Sequence, residues 1–232
     1  MTRTHWAAIT AVVLALLFAA AATVATAGGG DTPAARTPTA ESADAGFARD
    51  MSVHHQQAVE MSFIVRDRTQ DDEVRRLAYD IANTQANQRG MMLGWLDLWG
   101  LPKISADGEP MDWMGAGPNG GSGGSGHDGH DSHGSHSDHG KQEAEDAALM
   151  PGMATRSDLE RLDKLSGKQA EIFYLQLMIN HHNGGVAMAE GCVELCTVGT
   201  ERDLAQAMVD AQRSEIDLMV GLLHKRGADV LS

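Results

Sequence analysis

Apolar residues recur at helical spacing along four long stretches of the chain, and the polar residues between them gather into short turns or into one long low-complexity segment. From Phe47 to about Arg66 the apolar positions fall on one helical face. From about Asp72 to Trp99 a second, longer pattern runs, with Asp71 or Asp72 placed to cap it and Gly100-Leu101-Pro102 to end it. The polar turn around residues 69–72 joins the two as a helical hairpin. The pattern resumes at Ser157-Asp158-Leu159-Glu160, a capping-box signature that predicts a short helix to about Leu165, broken by Ser166-Gly167. A second hairpin follows, with helices over about Lys168–Glu194 and Glu201–Arg226, a turn through residues 197–200, and Gly227 as the stop. No stretch alternates with the period of a strand. Each hairpin alone leaves an apolar face uncovered, so the expected fold is all-α, a four-helix bundle over residues 46–228.

The remaining segments read differently. Residues 7–27 form an Ala/Val/Leu run behind Arg3, with Ala25-Thr26-Ala27 as a small-x-small cleavage site, so residues 1–27 are expected to be a signal peptide or a retained N-terminal membrane anchor. Residues 28–45 are Gly, Ala, Thr, Pro and Asp without an apolar period, a disordered tether. Residues of about 101–155 carry Gly/Ser repeats around a histidine tract and are expected to be a long disordered insertion.

The two hairpins are copies of one unit. Shifting the sequence by 127 residues aligns 47–100 with 174–227 without a gap and matches thirteen positions, including Met51/Met178, His54/His181, His55/His182, Met61/Met188, Gln85/Gln212 and Met92/Met219. Chance would give about three or four.

Charge and composition then narrow the chemistry. A formal charge of −14 without a basic patch argues against nucleic acid as a partner and suits an exported domain that meets cations. The only cysteines, Cys192 and Cys196, lie four apart in a chain bound for an oxidising compartment, so a disulfide is the first reading and a copper-binding thiolate pair the second. Thirteen methionines are far more than ordinary usage, and they matter where they form a pattern.

They do so beside the histidines. On a helical wheel Met51, His54, His55, Ala58, Met61 and Ser62 share an arc of about 120°, and Met178, His181, His182, Gly185, Met188 and Ala189 repeat it. Gln85, Gln88 and Met92 on the partner helix share a face, as do Gln212, Glu215 and Met219. Imidazole and thioether on facing stripes are ligands copper accepts, thioether favouring Cu(I). The competing reading is packing, since methionines at helical spacing are usually core. The recurrence of both His-His pairs inside Met frames shifts the balance toward metal. Loop methionines Met111/Met114 and Met150/Met153 have less packing reason to exist and are further thioether candidates.

His127, His130, His133, His136 and His139, at strict three-residue spacing, read as a low-affinity tract for zinc, copper or another divalent metal, weakening below about pH 6.5. No histidine has a Glu three residues before it, as a di-iron bundle centre needs, and no phosphate loop, nucleophile elbow or catalytic triad is visible. The reading therefore leans away from enzymatic catalysis.

Phe47-x3-Met51-x2-His54-His55-x2-Ala58-x2-Met61, Met150-Pro151-Gly152-Met153, Met178-x2-His181-His182-x5-Met188-Ala189 and Gln212-x2-Glu215-x3-Met219 together resemble the exported bacterial family known as domain of unknown function 305. The resemblance covers roughly residues 46–228 and implies a ferritin-like four-helix bundle outside the cytoplasmic membrane, with copper binding and copper tolerance in some members. It carries over onto Met51, His54, His55, Met61, Met92, Met150, Met153, His181, His182, Met188 and Met219. The histidine tract and the cysteine pair are outside that pattern. Gln88 stands where the family commonly has Glu, and Gly184-Gly185 is read as loosening the second helix after its His pair. Both set the two half-sites apart.

The expected function is copper sequestration or transfer by an exported protein whose partner is a metal ion, the protein partner being left open. The alternatives are a metal-dependent oxidoreductase with a His-rich centre and a structural or partner-binding bundle whose histidines only pack.

Overall fold

The computed structural model describes residues 37–105, 108–115 and 146–231. The expected signal or anchor segment and the histidine tract lie outside the described residues. Among the described residues no helix is long and apolar enough to cross a membrane.

Five α-helices and one 3-10 turn make up the described part: α1 Ala43–Arg68, α2 Asp72–Trp99, the 3-10 turn Asp112–Met114, α3 Arg156–Lys164, α4 Gly167–Leu195 and α5 Gly199–Lys225. Helix α1 begins before the expected boundary at residue 46. Ser42 is its N-cap, its hydroxyl accepting from the Ala45 amide at 3.2 Å, so the tether ends sooner than its composition suggested. Asp71 caps α2 by accepting from the Val74 amide at 2.9 Å.

Both hairpins end alike. Gly100 and Gly227 take left-handed φ values of 68° and 67°. Leu101 N donates to Leu96 O at 2.9 Å and Ala228 N to Leu223 O at 3.1 Å, the six-to-one bond of a Schellman stop. The α3 cap falls two residues earlier than the sequence signature placed it. Thr155 and Asp158 form the capping box, and Ser157, expected as the cap, instead bonds Asp146 from inside the first turn.

Helix α2 packs on α1, α5 packs on α4, and the α1–α4 contact joins the hairpins, with α3 lying against α1 and α4. The α1–α4 pair is antiparallel. Asp44 bonds Thr197, His54 bonds His181, Ser62 bonds Tyr174 and Thr69 bonds Glu171, so partners rise along one helix as they fall along the other. Two apolar clusters result. One holds Met61, Val65, Val74, Tyr174, Met178 and Met219; the other holds Phe47, Met51, Met92, Trp113, Met150, Met188 and Cys192. Along both α1 and α4 the histidines separate them.

The segment expected as one disordered insertion is ordered at both ends. Trp113 is buried, stacks edge-on against Phe47 with centroids 5.9 Å apart, and donates from Nε1 to Asp50 at 3.0 Å. Gly46 gives it room, because a Cβ there would lie 2.5 Å from the indole. Residues 108–115 and 146–155 therefore belong to the fold; their Gly/Ser-rich neighbours masked that apolar anchor in the sequence.

Candidate metal centre

The His-His pairs lie midway along α1 and α4, on the faces that meet. All four imidazoles are fully buried, as are Met51, Met61, Ala58 and Ser62 on the same face of α1. The wheel therefore identified the inward face correctly. His54 and His181 stack with ring centroids 3.7 Å apart, and His182 lies 6.3 Å from His181.

Hydrogen bonds to the surrounding shell fix the rings. His181 Nε2 donates to the His54 carbonyl oxygen at 3.0 Å, which can only accept. His55 Nε2 lies 2.8 Å from Gln88 Oε1 and His182 Nε2 2.7 Å from Glu215 Oε2, the same position of the two repeats. With Nε2–H so engaged, Nδ1 is the nitrogen each of these three rings has left for a ligand, the arrangement by which outer partners orient metal-binding histidines. Gln88 thus does in the first half what Glu215 does in the second, with an amide oxygen in place of a carboxyl oxygen.

Five ring nitrogens in this layer have no hydrogen-bond partner: both of His54 and Nδ1 of His55, His181 and His182. Gln85, and Oε1 of Gln212, are also unpartnered. Each such buried group costs about 1–3 kcal/mol, so a purely structural bundle has little reason to collect them in one layer.

Burial dominates the titration of the rings. Desolvation draws His54 down to about 4, with the nearby Pro151 carbonyl, which lies outside hydrogen-bonding geometry, opposing it and His182 adding to it. His55 falls to about 3, again through desolvation first and His54 second, and His181 lies well below the ordinary histidine value. These imidazoles are neutral at pH 7, the form that ligates.

The methionines flank this layer from both sides, and each side draws on both repeats. Met51, Met92 and Met188 share one cluster with Met150, and Met178, Met219 and Met61 share the other. Each member of the first trio has its repeat counterpart in the second. The arrangement offers imidazole pairs supplemented by thioethers, a donor set suited to Cu(I).

The Met150–Met153 segment closes over α4. Met153 N donates to Met150 O at 3.1 Å across a turn with Gly152 at φ 79°, the positive φ that a Pro-Gly turn requires. Gln57 clamps it, donating to Ala154 O at 2.9 Å and accepting from Ala154 N at 2.7 Å. Gly184 and Gly185 do not loosen α4, which runs unbroken through them. They are small because things approach: a Cβ on Gly184 would lie 2.0 Å from Pro151 O, and one on Gly185 2.5 Å from Gln212 Oε1. Met150 is buried, while Met153, Met111 and Met114 pack at the edge of the same cluster.

Cys192 and Cys196 are joined as a disulfide at the end of α4, away from the histidine layer. Among the described residues, the set of three His, Cys, Asp or Glu side chains with ligand atoms within 4.8 Å of one another is Cys192, Cys196 and Glu201, not the histidines. The sequence reading missed Glu201 and its neighbour Asp44. A Glu standing where the first repeat has Val74 was the available signal.

A family profile described as a domain of unknown function, DUF305, matches residues 44–223. The crystal structure of a DUF305 protein from Streptomyces coelicolor, described as a candidate secreted protein, is 58% identical with a TM-score of 0.68, over 84% of this chain and 99% of that one. A DUF305 fragment from Deinococcus radiodurans is 28% identical with a TM-score of 0.57, over 79% of this chain and 96% of that one. CopM in the Cu(I)-bound form shares the fold at 18% identity and a TM-score of 0.52, over 78% of this chain and 96% of that one. No curated protein matches the chain.

Proposed function

The chain belongs to the DUF305 family, and we propose that this member is an exported metal-binding protein that sequesters copper or passes it on outside the cytoplasmic membrane. The observation that carries the reading is the layer of four buried imidazoles with five unpartnered ring nitrogens, bracketed by two methionine trios. His54, His55, His181 and His182 would hold the ion, with Met51, Met92 and Met188 on one side and Met61, Met178 and Met219 on the other. Met150 extends the first trio, and Met153 lies at its rim.

Bound copper would supply a soft, redox-active cation. The chain's own residues supply neutral nitrogen and thioether sulfur in a dry site, which favours Cu(I) over harder divalent ions. Outer-shell Gln88 and Glu215 hold the rings in the tautomer that leaves Nδ1 to ligate. The Cu(I)-bound form of CopM, a neighbour in fold, makes Cu(I) the first ion to test, and the description of the Streptomyces protein supports export.

The test is an anaerobic Cu(I) competition titration of the protein lacking residues 121–140, so that only the bundle is read. Tight binding in that protein, lost when all four histidines are alanine, is expected. Equal binding by the four-alanine protein would move the metal elsewhere.

A further inference from the structure

The disulfide end of the bundle differs chemically from the opposite end, although the two are built from the same repeat. Positions 127 residues before Cys192, Cys196 and Glu201 hold Val65, Thr69 and Val74. Val65 and Val74 are fully buried and pack in an ordinary apolar cluster. This backbone therefore closes well with valines. At the disulfide end it instead holds two sulfurs and a fully buried glutamate whose oxygens accept from no amide, hydroxyl or cationic donor and whose carboxyl neighbour is Asp44. A buried carboxyl in that condition is costly, and packing does not explain it.

Charge balance separates the ends again. Glu171, the repeat counterpart of Asp44, is answered by the guanidinium of Arg226, whose Nε donates to it at 2.7 Å. Asp44 accepts from Thr197 N at 2.8 Å, Val198 N at 2.7 Å and Thr197 Oγ1 at 3.1 Å, and Glu201 lies beside it. The position equivalent to Arg226 is Trp99. Two neighbouring buried acids and two sulfurs thus meet where, among the described residues, no cation answers them.

We infer that this end is a second metal site, closed while Cys192 and Cys196 are bonded and opened by thiol exchange, in which the two sulfurs and the Glu201 carboxylate hold a thiophilic divalent cation of the zinc class. The three ligand atoms already lie within 4.8 Å of one another, and all three residues are buried. Two thiolates and a carboxylate leave one tetrahedral position for water, as in open zinc sites. Opening is a two-electron step. A dithiol reductant breaks the Sγ–Sγ bond, gives its two protons and two electrons to the cysteine sulfurs, and leaves as its own disulfide. Metal entry then releases to solvent the two thiol protons and any proton carried by Glu201. Oxidation and metal compete for the same sulfurs, so occupancy of this end reports the thiol redox state of the surroundings.

The experiment uses the full chain, reduced with excess dithiol, freed of it anaerobically and titrated with Co(II) alone. Thiolate-to-Co(II) charge-transfer absorption is the readout, because histidine-bound Co(II) at the bundle centre or the tract does not produce it. The result is therefore independent of the copper reading. A saturating band is expected in the reduced protein and none in the oxidised one. Zinc should displace it, and Glu201→Gln should weaken binding at least about tenfold. Cys192→Val with Cys196→Thr, which installs the first repeat's own residues, should fold and give no band. Loss of helicity on reduction alone, absence of the band, or equal affinity in Glu201→Gln would each overturn the proposal.

Discussion

His54 and His181 occupy the same position of the two repeats and stack across the middle of the bundle with ring centroids 3.7 Å apart. The sequence relation is symmetric and the bonding is not. His181 donates to the His54 backbone carbonyl, whereas neither ring nitrogen of His54 has a partner. The two half-sites are therefore unequal at their shared centre, and His54 is the ring with most to gain from a ligand.

That gain has a pH signature in the metal-free protein. His54 and His55 are drawn down to about 4 and about 3 in the folded state, and His181 also lies low, against about 6.5 in an unfolded chain. Below 6.5 the unfolded state binds protons the folded state refuses, so stability is complete above that value and falls as pH drops toward 4. Urea midpoints measured from pH 7.5 to 4.5 should decline along this limb, the rings taking up protons on unfolding near pH 5 in excess of the one that Glu201 gives up. A flat profile would show that these rings are not held dry.

Glu201 gives the opposite slope. Desolvation first, and the Asp44 carboxylate second, push its carboxyl up to about 9 in the disulfide-bonded protein. An acid raised in the folded state contributes fully below about 4.5, and that contribution is lost as pH rises toward 9. Glu201→Gln removes the decline and should stabilise the protein by on the order of 2 kcal/mol at pH 8 while doing little at pH 4. Thermal unfolding of the two proteins at both pH values decides it.

Glycines in the helices fall into two classes. Gly184→Ala would drive a Cβ into Pro151 O, and the clash should outweigh the gain in helix propensity, costing about 1–3 kcal/mol and displacing the Met150 turn. Gly94→Ala and Gly221→Ala meet nothing within 4 Å and should each stabilise by about 0.5–1 kcal/mol. Denaturant midpoints should move in opposite directions, and Cu(I) affinity should drop only in the first variant.

At the end opposite the disulfide, Arg226 is bonded to Glu171 at 2.7 Å and to Asp71 at 3.0 Å. Both Arg226 and Glu171 are buried, so Arg226→Met strands a carboxylate and should cost about 3–5 kcal/mol. Adding Glu171→Leu should restore most of that loss. A double-mutant cycle in which the second change adds further destabilisation would contradict this account.

Much of this was legible in the chain. Helical period and the Gly100 and Gly227 stops located the hairpins, and the repeat located the His-His layer on the inward face. Cap chemistry was less so: Thr155 and Ser157 are both good caps two residues apart, and only the position of Asp158 decides between them. Trp113 was obscured because a single apolar residue in a Gly/Ser-rich segment has no period to announce it. Gly184 looked like a helix weakness because its neighbour in space, Pro151, is more than thirty residues away in sequence. Glu201 was hidden for a similar reason: a glutamate in the first turn of a helix is ordinarily a solvated, dipole-favoured residue, and its neighbours in space, Asp44 of α1 and the Cys192–Cys196 sulfurs, are not adjacent to it in the chain.

The crossing of α1 with α4, in which a residue meets its own repeat counterpart, is the contact that two identical hairpins would make about a twofold axis. In separate chains such a pairing would dissolve on dilution and would hold both faces to one sequence. A single chain makes the encounter intramolecular, so the histidine layer persists at any protein concentration. It also releases each copy from matching the other, which is how one end came to close on valines and its twin on sulfur and acid.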